Sequence, residues 1–380
     1  MKFLKNKVVQ SVLCSLACII VGLLVGFIVL LIIDPSNAVE AMVTMLKNFF
    51  KYNKTSFRLE NLGNTVVKTA PLIMCSLSIL FAYKLGLFNI GAAGQYVVGA
   101  CACLYAALKW NWNWVLCIIF AAVCGAVWGA LVGLLKSYCN VNEVISGIML
   151  NWIALYSTNM ILSGVKEVAS PYTYHLSDKN PSAILPNCGL DKLFNGNKTV
   201  TIAIPIAIVF AIAIYVILEK TKFGFELKAT GFNKNAAKYC GMAEKRNIVL
   251  SLAISGAMAA LGACLFFLTD FAQWECSQSS VPAMGFNGIS ACFLGCINPI
   301  GAIISSFFIQ HITDGGAHIA SLYCSQISDL ITSIIIYLCG FVFFVKYAMN
   351  KIIASRENFQ KIPEPPKQEV KTENGEGGTK

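Results

Sequence analysis

Apolar stretches close to the roughly 20 residues needed to cross a bilayer recur along almost the whole chain, separated by short polar or glycine-bearing breaks. They predict ten spans, at 8–33, 65–85, 91–108, 113–135, 143–163, 199–218, 247–269, 283–296, 299–313 and 326–347. Those starting at 283 and 299 are short, and no interval is large enough for a soluble catalytic domain. The expected fold is all-α: a polytopic integral membrane protein of about ten transmembrane helices, with short broken helices. Residues 1–349 form the transmembrane domain, with 219–246 as a cytoplasmic loop inside it. Residues 350–380 read as a disordered cytoplasmic tail, because the prolines after Lys361 lead into a Glu-, Lys- and Gly-rich end that cannot bury apolar surface. The first span follows Lys2, Lys5 and Lys7, but its apolar run is about twice the 7–15 residues of a signal-peptide core, so it stays as an anchor.

Composition agrees: 57% of residues are hydrophobic and 13% charged, and the mean hydropathy is +0.67, far from a soluble domain. The net charge of +10 would suggest nucleic-acid binding in a soluble chain, but in a membrane chain Lys and Arg report orientation first. With the N-terminus in the cytoplasm, about 19 of the 29 Lys and Arg fall inside and about nine outside, and 219–246 alone carries seven. Both termini are therefore expected in the cytoplasm, and no nucleic-acid partner is expected. The outer stretch 34–64 departs from the rule with Lys47, Lys51, Lys54 and Arg58, and its 39–50 section reads as a short amphipathic helix on the membrane surface.

Most of the sixteen cysteines lie in apolar runs, where they act as small hydrophobes. There is no C-x-x-C pair, and His175, His311 and His318 are scattered, so no metal site and no cofactor is expected. Neither H-E-x-x-H nor G-x-S-x-G occurs, and no catalytic residue is assigned. Lys68 stands out as an ionisable group inside a span, which leaves little material for a proton- or sodium-coupled relay.

Two glycine-flanked Phe-Asn motifs interrupt the apolar pattern: G-L-F-N-I-G-A-A-G-Q at 86–95 and G-F-N-G-I at 285–289. The predicted topology puts the first break on the cytoplasmic side and the second on the external side, as an inverted repeat would around a midplane path. Irregular backbone survives at membrane depth only when buried in protein or facing a water-filled cavity. Asn89, Gln95 and Asn287 are accordingly expected to face such a cavity, offering amides to a neutral polar solute. The competing expectation is that the glycines allow close helix packing and the amides bond between helices.

Two further blocks carry polar groups. In N-E-V-I-S-G-I-M-L-N-W-I-A at 142–154, Glu143 lies at the inner edge as a helix N-terminal carboxylate, with Ser146 and Asn151 deeper. The inner loop from Lys222 is basic, and Asn233 as N-cap with Gly241 as stop predicts a short helix that either lies on anionic headgroups or docks into another protein.

Together with G-F-E-L-K-A-T-G-F-N-K-N-A-A-K-Y-C-G at 224–241 and G-F-N-G-I-S-A-C-F-L-G at 285–295, the blocks at 86–95 and 142–154 resemble the permease subunits of bacterial nucleoside ABC importers, relatives of ribose-type sugar permeases in the branched-chain amino acid permease superfamily. The resemblance covers most of the membrane part. It implies a multi-pass protein of the bacterial cytoplasmic membrane, not itself an enzyme, that pairs with a second homologous permease and an ABC ATPase. It also implies that a lipid-anchored binding protein delivers the solute. The chain has no G-x-x-x-x-G-K-[ST], so ATP is expected to be handled by the separate subunit. By the same resemblance Gly231, Asn233, Ala236, Ala237 and Gly241 fall in the loop that contacts the ATPase. Purine nucleosides such as guanosine are the first cargo implied, with riboflavin or a simple sugar as alternatives. A path offering the amides of Asn89, Gln95, Asn151 and Asn287 and the rings of Phe88, Trp152 and Phe286 suits a ring joined to a polyol. Ala93 departs from the pattern, since relatives commonly carry Glu there. A stand-alone secondary transporter is the alternative of a different class.

Overall fold

The computed structural model describes the backbone of residues 7–360. Sixteen α-helices follow one another among them: α1 (Lys7–Ile33), α2 (Ala38–Lys47), α3 (Thr55–Lys84), α4 (Ala92–Lys109), α5 (Trp114–Tyr138), α6 (Glu143–Leu162), α7 (Leu176–Lys179), α8 (Leu190–Leu193), α9 (Ala203–Lys220), α10 (Lys222–Phe232), α11 (Lys234–Tyr239), α12 (Glu244–Phe267), α13 (Met284–Leu294), α14 (Pro299–His318), α15 (Ser325–Cys339) and α16 (Val342–Gln360). No β-strand occurs among the described residues, only isolated bridges that tie the segment before α7 to itself and to the one after α12. The fold is all-α and polytopic. Of the expected disordered tail, residues 361–380 lie outside the described residues, and α16 runs to Gln360.

Each of the ten expected spans has a helix in its place, but seven segments are long and apolar enough to cross a membrane: in α1, α3, α5, α6, α9, α12 and the α15–α16 pair. The other three differ for readable reasons. α4 and α14 carry Gln95, Gln310 and Asp314 inside the bundle. α13 has only 11 residues, about 16 Å of helix, half the bilayer core. α3 starts ten residues before its expected span because its first turns, T-S-F-R-L-E-N-L-G-N, are polar; hydropathy sees only the part that sits in lipid.

α3 is the central helix. Within its apolar window 89% of residues are buried, against 22% for α1, and α12, α13, α14 and α9 pack around it. The most extensive helix pair is α5 on α12, built on G-x-x-x-G-x-x-x-G at 125–133. A Cβ at Gly129 would lie 2.1 Å from the Leu252 carbonyl oxygen, and one at Gly125 would lie 2.6 Å from that of Gly256. With no hydrophobic drive between helices in lipid, such backbone approach supplies the packing contacts that hold them together.

Candidate functional site

After α3 ends, Gly86 turns the chain with φ +80°, and 87–91 runs back along the helix it has just left. Asn89 reaches Ser78, eight residues before Gly86, so this segment re-enters by roughly 12 Å. α4 therefore begins inside the bundle. The side-chain amide of Asn89 donates to Gln95 Oε1 (2.8 Å) and Ser255 Oγ (2.6 Å), and Gln95 Nε2 returns a bond to Asn89 Oδ1 (3.3 Å). Ser255 Oγ donates to the Ser78 carbonyl (2.6 Å). All four side chains are fully buried. Asn151, also buried, accepts from the Gly94 N–H (2.8 Å) and donates to the Ile90 carbonyl (3.1 Å). It thus satisfies one orphan donor of the first turn of α4 and one carbonyl of the break.

The first turn of α13 meets the first turn of α4 at this level: a Cβ on Gly285 would lie 2.4 Å from Ala93 Cα. The two helices lead away in opposite directions. α4 runs toward the end of the bundle where Asn180 Nδ2 donates to the Ala107 carbonyl, and α13 toward the end where the Leu294 carbonyl takes a bond from Ser15. Two half-helix N-termini thus abut at mid-depth, with their positive dipole ends together. One feature differs from the sequence expectation. Gly285–Ile289 is not itself a break but the first turns of α13; the irregular backbone is 268–283, and Gly285 serves close packing on Ala93.

Of the residues expected on the path, Asn89, Gln95 and Asn151 are interior and bonded to one another, to serine hydroxyls or to backbone. Phe286 is 40% exposed and Asn287 half-buried beside it. Phe88 stacks on Phe293 at 6.3 Å and 11°. Trp152 lies on the exposed face of α6, stacked on Tyr156, about 100° around the helix from Asn151. A cavity of about 320 Å³ lies elsewhere, between α4, α5 and α6; its wall is apolar, with Tyr105, Phe120 and Trp128, and includes none of these residues.

At the α10–α11 end, Gly231 presses on the end of α3, where a Cβ would lie 2.7 Å from the Leu85 carbonyl carbon. Asn233 caps α11 through the Ala236 N–H (3.0 Å), Ala237 is buried while Ala236 is exposed, and Gly241 closes the helix at φ +78°. Phe232 and Tyr239 protrude almost wholly into solvent, at 95% and 93% exposed; nothing in the surrounding glycine-and-alanine pattern singles them out. Glu143 is paired with Lys136 at 2.7 Å. Lys68 is also paired: Asp314 Oδ1 accepts from Lys68 (2.8 Å) and Gln310 (3.0 Å), joining α3 to α14. Partners 246 residues apart are not legible from hydropathy.

Residues 61–340 match the family described as branched-chain amino acid transport system / permease component. The chain belongs to this permease family. The permease is 30% identical over 352 residues to the guanosine ABC transporter permease protein NupP of Bacillus subtilis, covering 91% of this chain and 98% of that one. It is 29% identical to the nucleoside ABC transporter permease protein NupB of Lactococcus lactis, covering 77% and 82%. A third relative, 27% identical with 78% and 80% covered, is the glucose ABC transporter permease protein TsgB13 of Haloferax volcanii. As a permease, this multi-pass membrane chain is a transport component.

Proposed function

We propose that this permease is the membrane-spanning subunit of an ATP-driven importer for nucleosides, purine nucleosides such as guanosine first. The observation that carries the cargo is the match to a guanosine permease over 98% of that protein's length. Both termini and α10–α11 face the cytoplasm, in line with the excess of Lys and Arg at that end. An ABC ATPase docks there, on Phe232 and Tyr239, while Gly231, Asn233, Ala236, Ala237 and Gly241 shape and brace the docking element. Since Gly231 rests on the end of α3, and α3 continues into the re-entrant segment, motion at α10 is passed to the α4–α13 junction.

Solute moves past that junction on the side where Phe286 and Asn287 are accessible, with Phe88 behind them. Asn89, Gln95 and Asn151 hold the junction in place, and Trp152 belongs to the same wall only where a neighbour brings it there. One chain leaves this side uncovered, and a second homologous permease completes the path; a lipid-anchored binding protein loads it from outside. Uptake of labelled guanosine by cells with and without this chain, its partner genes kept, tests the proposal. Loss on deletion supports it, and unchanged guanosine uptake with the protein expressed sinks it. The glucose-named relative favours a sugar as the second reading, so labelled ribose, glucose and riboflavin are measured in the same cells.

A further inference from the structure

The outer stretch 34–64 holds four of the roughly nine Lys and Arg that fall outside, and the structure shows three distinct faces on its helix. Ala38, Ala41, Met42 and Met45 are buried against the bundle. α2 is fixed there by close backbone contact, Gly315 lying where a Cβ would be 2.1 Å from the Met45 carbonyl oxygen. His311 Nε2 donates to the Leu46 carbonyl (3.0 Å), and Asn48 Nδ2 donates to the His311 carbonyl (3.2 Å). A second face, about 100° round, carries Val39, Val43 and Leu46, with Phe50 beyond them, all between 41% and 60% exposed. A third carries Lys47, with Lys51 and Lys54 following in the next turns, all exposed; Glu40 is the acidic group on that side.

A helix with one face on protein, one apolar face uncovered and a basic edge beside it has the makeup of an element lying in the membrane interface. It follows directly on the end of α1, so it sits at the level where that span leaves the hydrocarbon. We infer that α2 and the turn after it bind anionic phospholipid at the leaflet opposite α10–α11. Val39, Val43, Leu46 and Phe50 enter the acyl boundary, and Lys47, Lys51 and Lys54 meet the phosphate groups. The three lysines stand on the outer side because they have a ligand there. Since α2 grips α14, lipid charge is felt by the helix that holds Asp314. This inference rests on the chain being a multi-pass membrane protein, not on its cargo.

The test uses the full-length protein alone in nanodiscs of phosphatidylcholine, with and without phosphatidylglycerol, so that its failure says nothing about uptake. Hydrogen exchange over 38–51 should slow by roughly tenfold when phosphatidylglycerol is present. The triple variant Lys47→Gln, Lys51→Gln, Lys54→Gln should lose that lipid dependence while keeping the protection seen in phosphatidylcholine. Val43→Ser with Leu46→Ser should exchange faster in both lipids, with α3 and α12 unchanged as the fold control. Equal exchange in the two lipids for the unaltered protein overturns the inference. So does an equal slowing by phosphatidylglycerol in the triple variant, which would show that the lysines are not what meets the lipid.

Discussion

Asn89 and Asn287 carry the same side chain in the same Phe-Asn setting, yet they stand in different environments. Asn89 is buried among Gln95, Ser78 and Ser255. Replacing it with Leu strands donors and acceptors that no water can reach, at a cost of roughly 1–3 kcal/mol. Asn287 is half-buried at the start of α13, so Asn287→Leu should stay within about 0.5 kcal/mol of the unaltered protein. Thermal unfolding in mild detergent should therefore show a lowered midpoint for Asn89→Leu alone, while uptake falls for both. A normal midpoint for Asn89→Leu would remove the bonded network from the account, and full uptake by Asn287→Leu would remove that amide from the path. The sequence showed that amides sit at these breaks, but not whether each faces a partner or a cavity. That depends on Ser255, 166 residues from Asn89, and no local pattern encodes so distant a meeting.

At the scale of elements, hydropathy found every helix of the bundle and misjudged those whose job is to be buried. The re-entrant start of α4 and the short α13 were legible as glycine-bearing interruptions, because only such sequence lets backbone turn and pack at depth. The α5–α12 seam is present as G-x-x-x-G-x-x-x-G at 125–133, but in a chain so rich in small residues that spacing alone does not mark it out. Gly129→Val should cost roughly 1–3 kcal/mol by overpacking, read as a lower unfolding midpoint and lower membrane yield; an unchanged midpoint would mean the helices can part freely. The α10–α11 element supports a functional counterpart. Phe232→Ala with Tyr239→Ala should weaken retention of the ATPase by about 2 kcal/mol, near thirtyfold, while Gly231→Leu should leave the ATPase bound but disconnect hydrolysis from uptake. Normal coupling in Gly231→Leu would show that contact with the end of α3 transmits nothing.

For the whole molecule, the question is where a path runs in a bundle whose junction amides, Asn89, Gln95 and Asn151, are already hydrogen-bonded. The middle of this chain is closed: Ala93 lies against Gly285, Asn151 binds both sides of the break, and the amides of Asn89 and Gln95 are spent on each other. What is accessible lies on one flank, where Phe286 projects beside Asn287 from the first turn of α13. A path bounded by one chain on one side only requires a second wall, and the permease pairing proposed above supplies it. A photo-crosslinking side chain placed at Phe286, in the importer assembled with all its subunits, should therefore capture the second permease. The same probe placed at Phe232 should capture the ATPase. Capture of lipid alone from position 286, in a complex shown to be intact by its ATPase content, would put that flank against the bilayer and move the path elsewhere. Since position 286 is 40% exposed, the probe fits without disturbing the core. A failed capture with retained uptake would then speak against the location of the path rather than the fold of the variant.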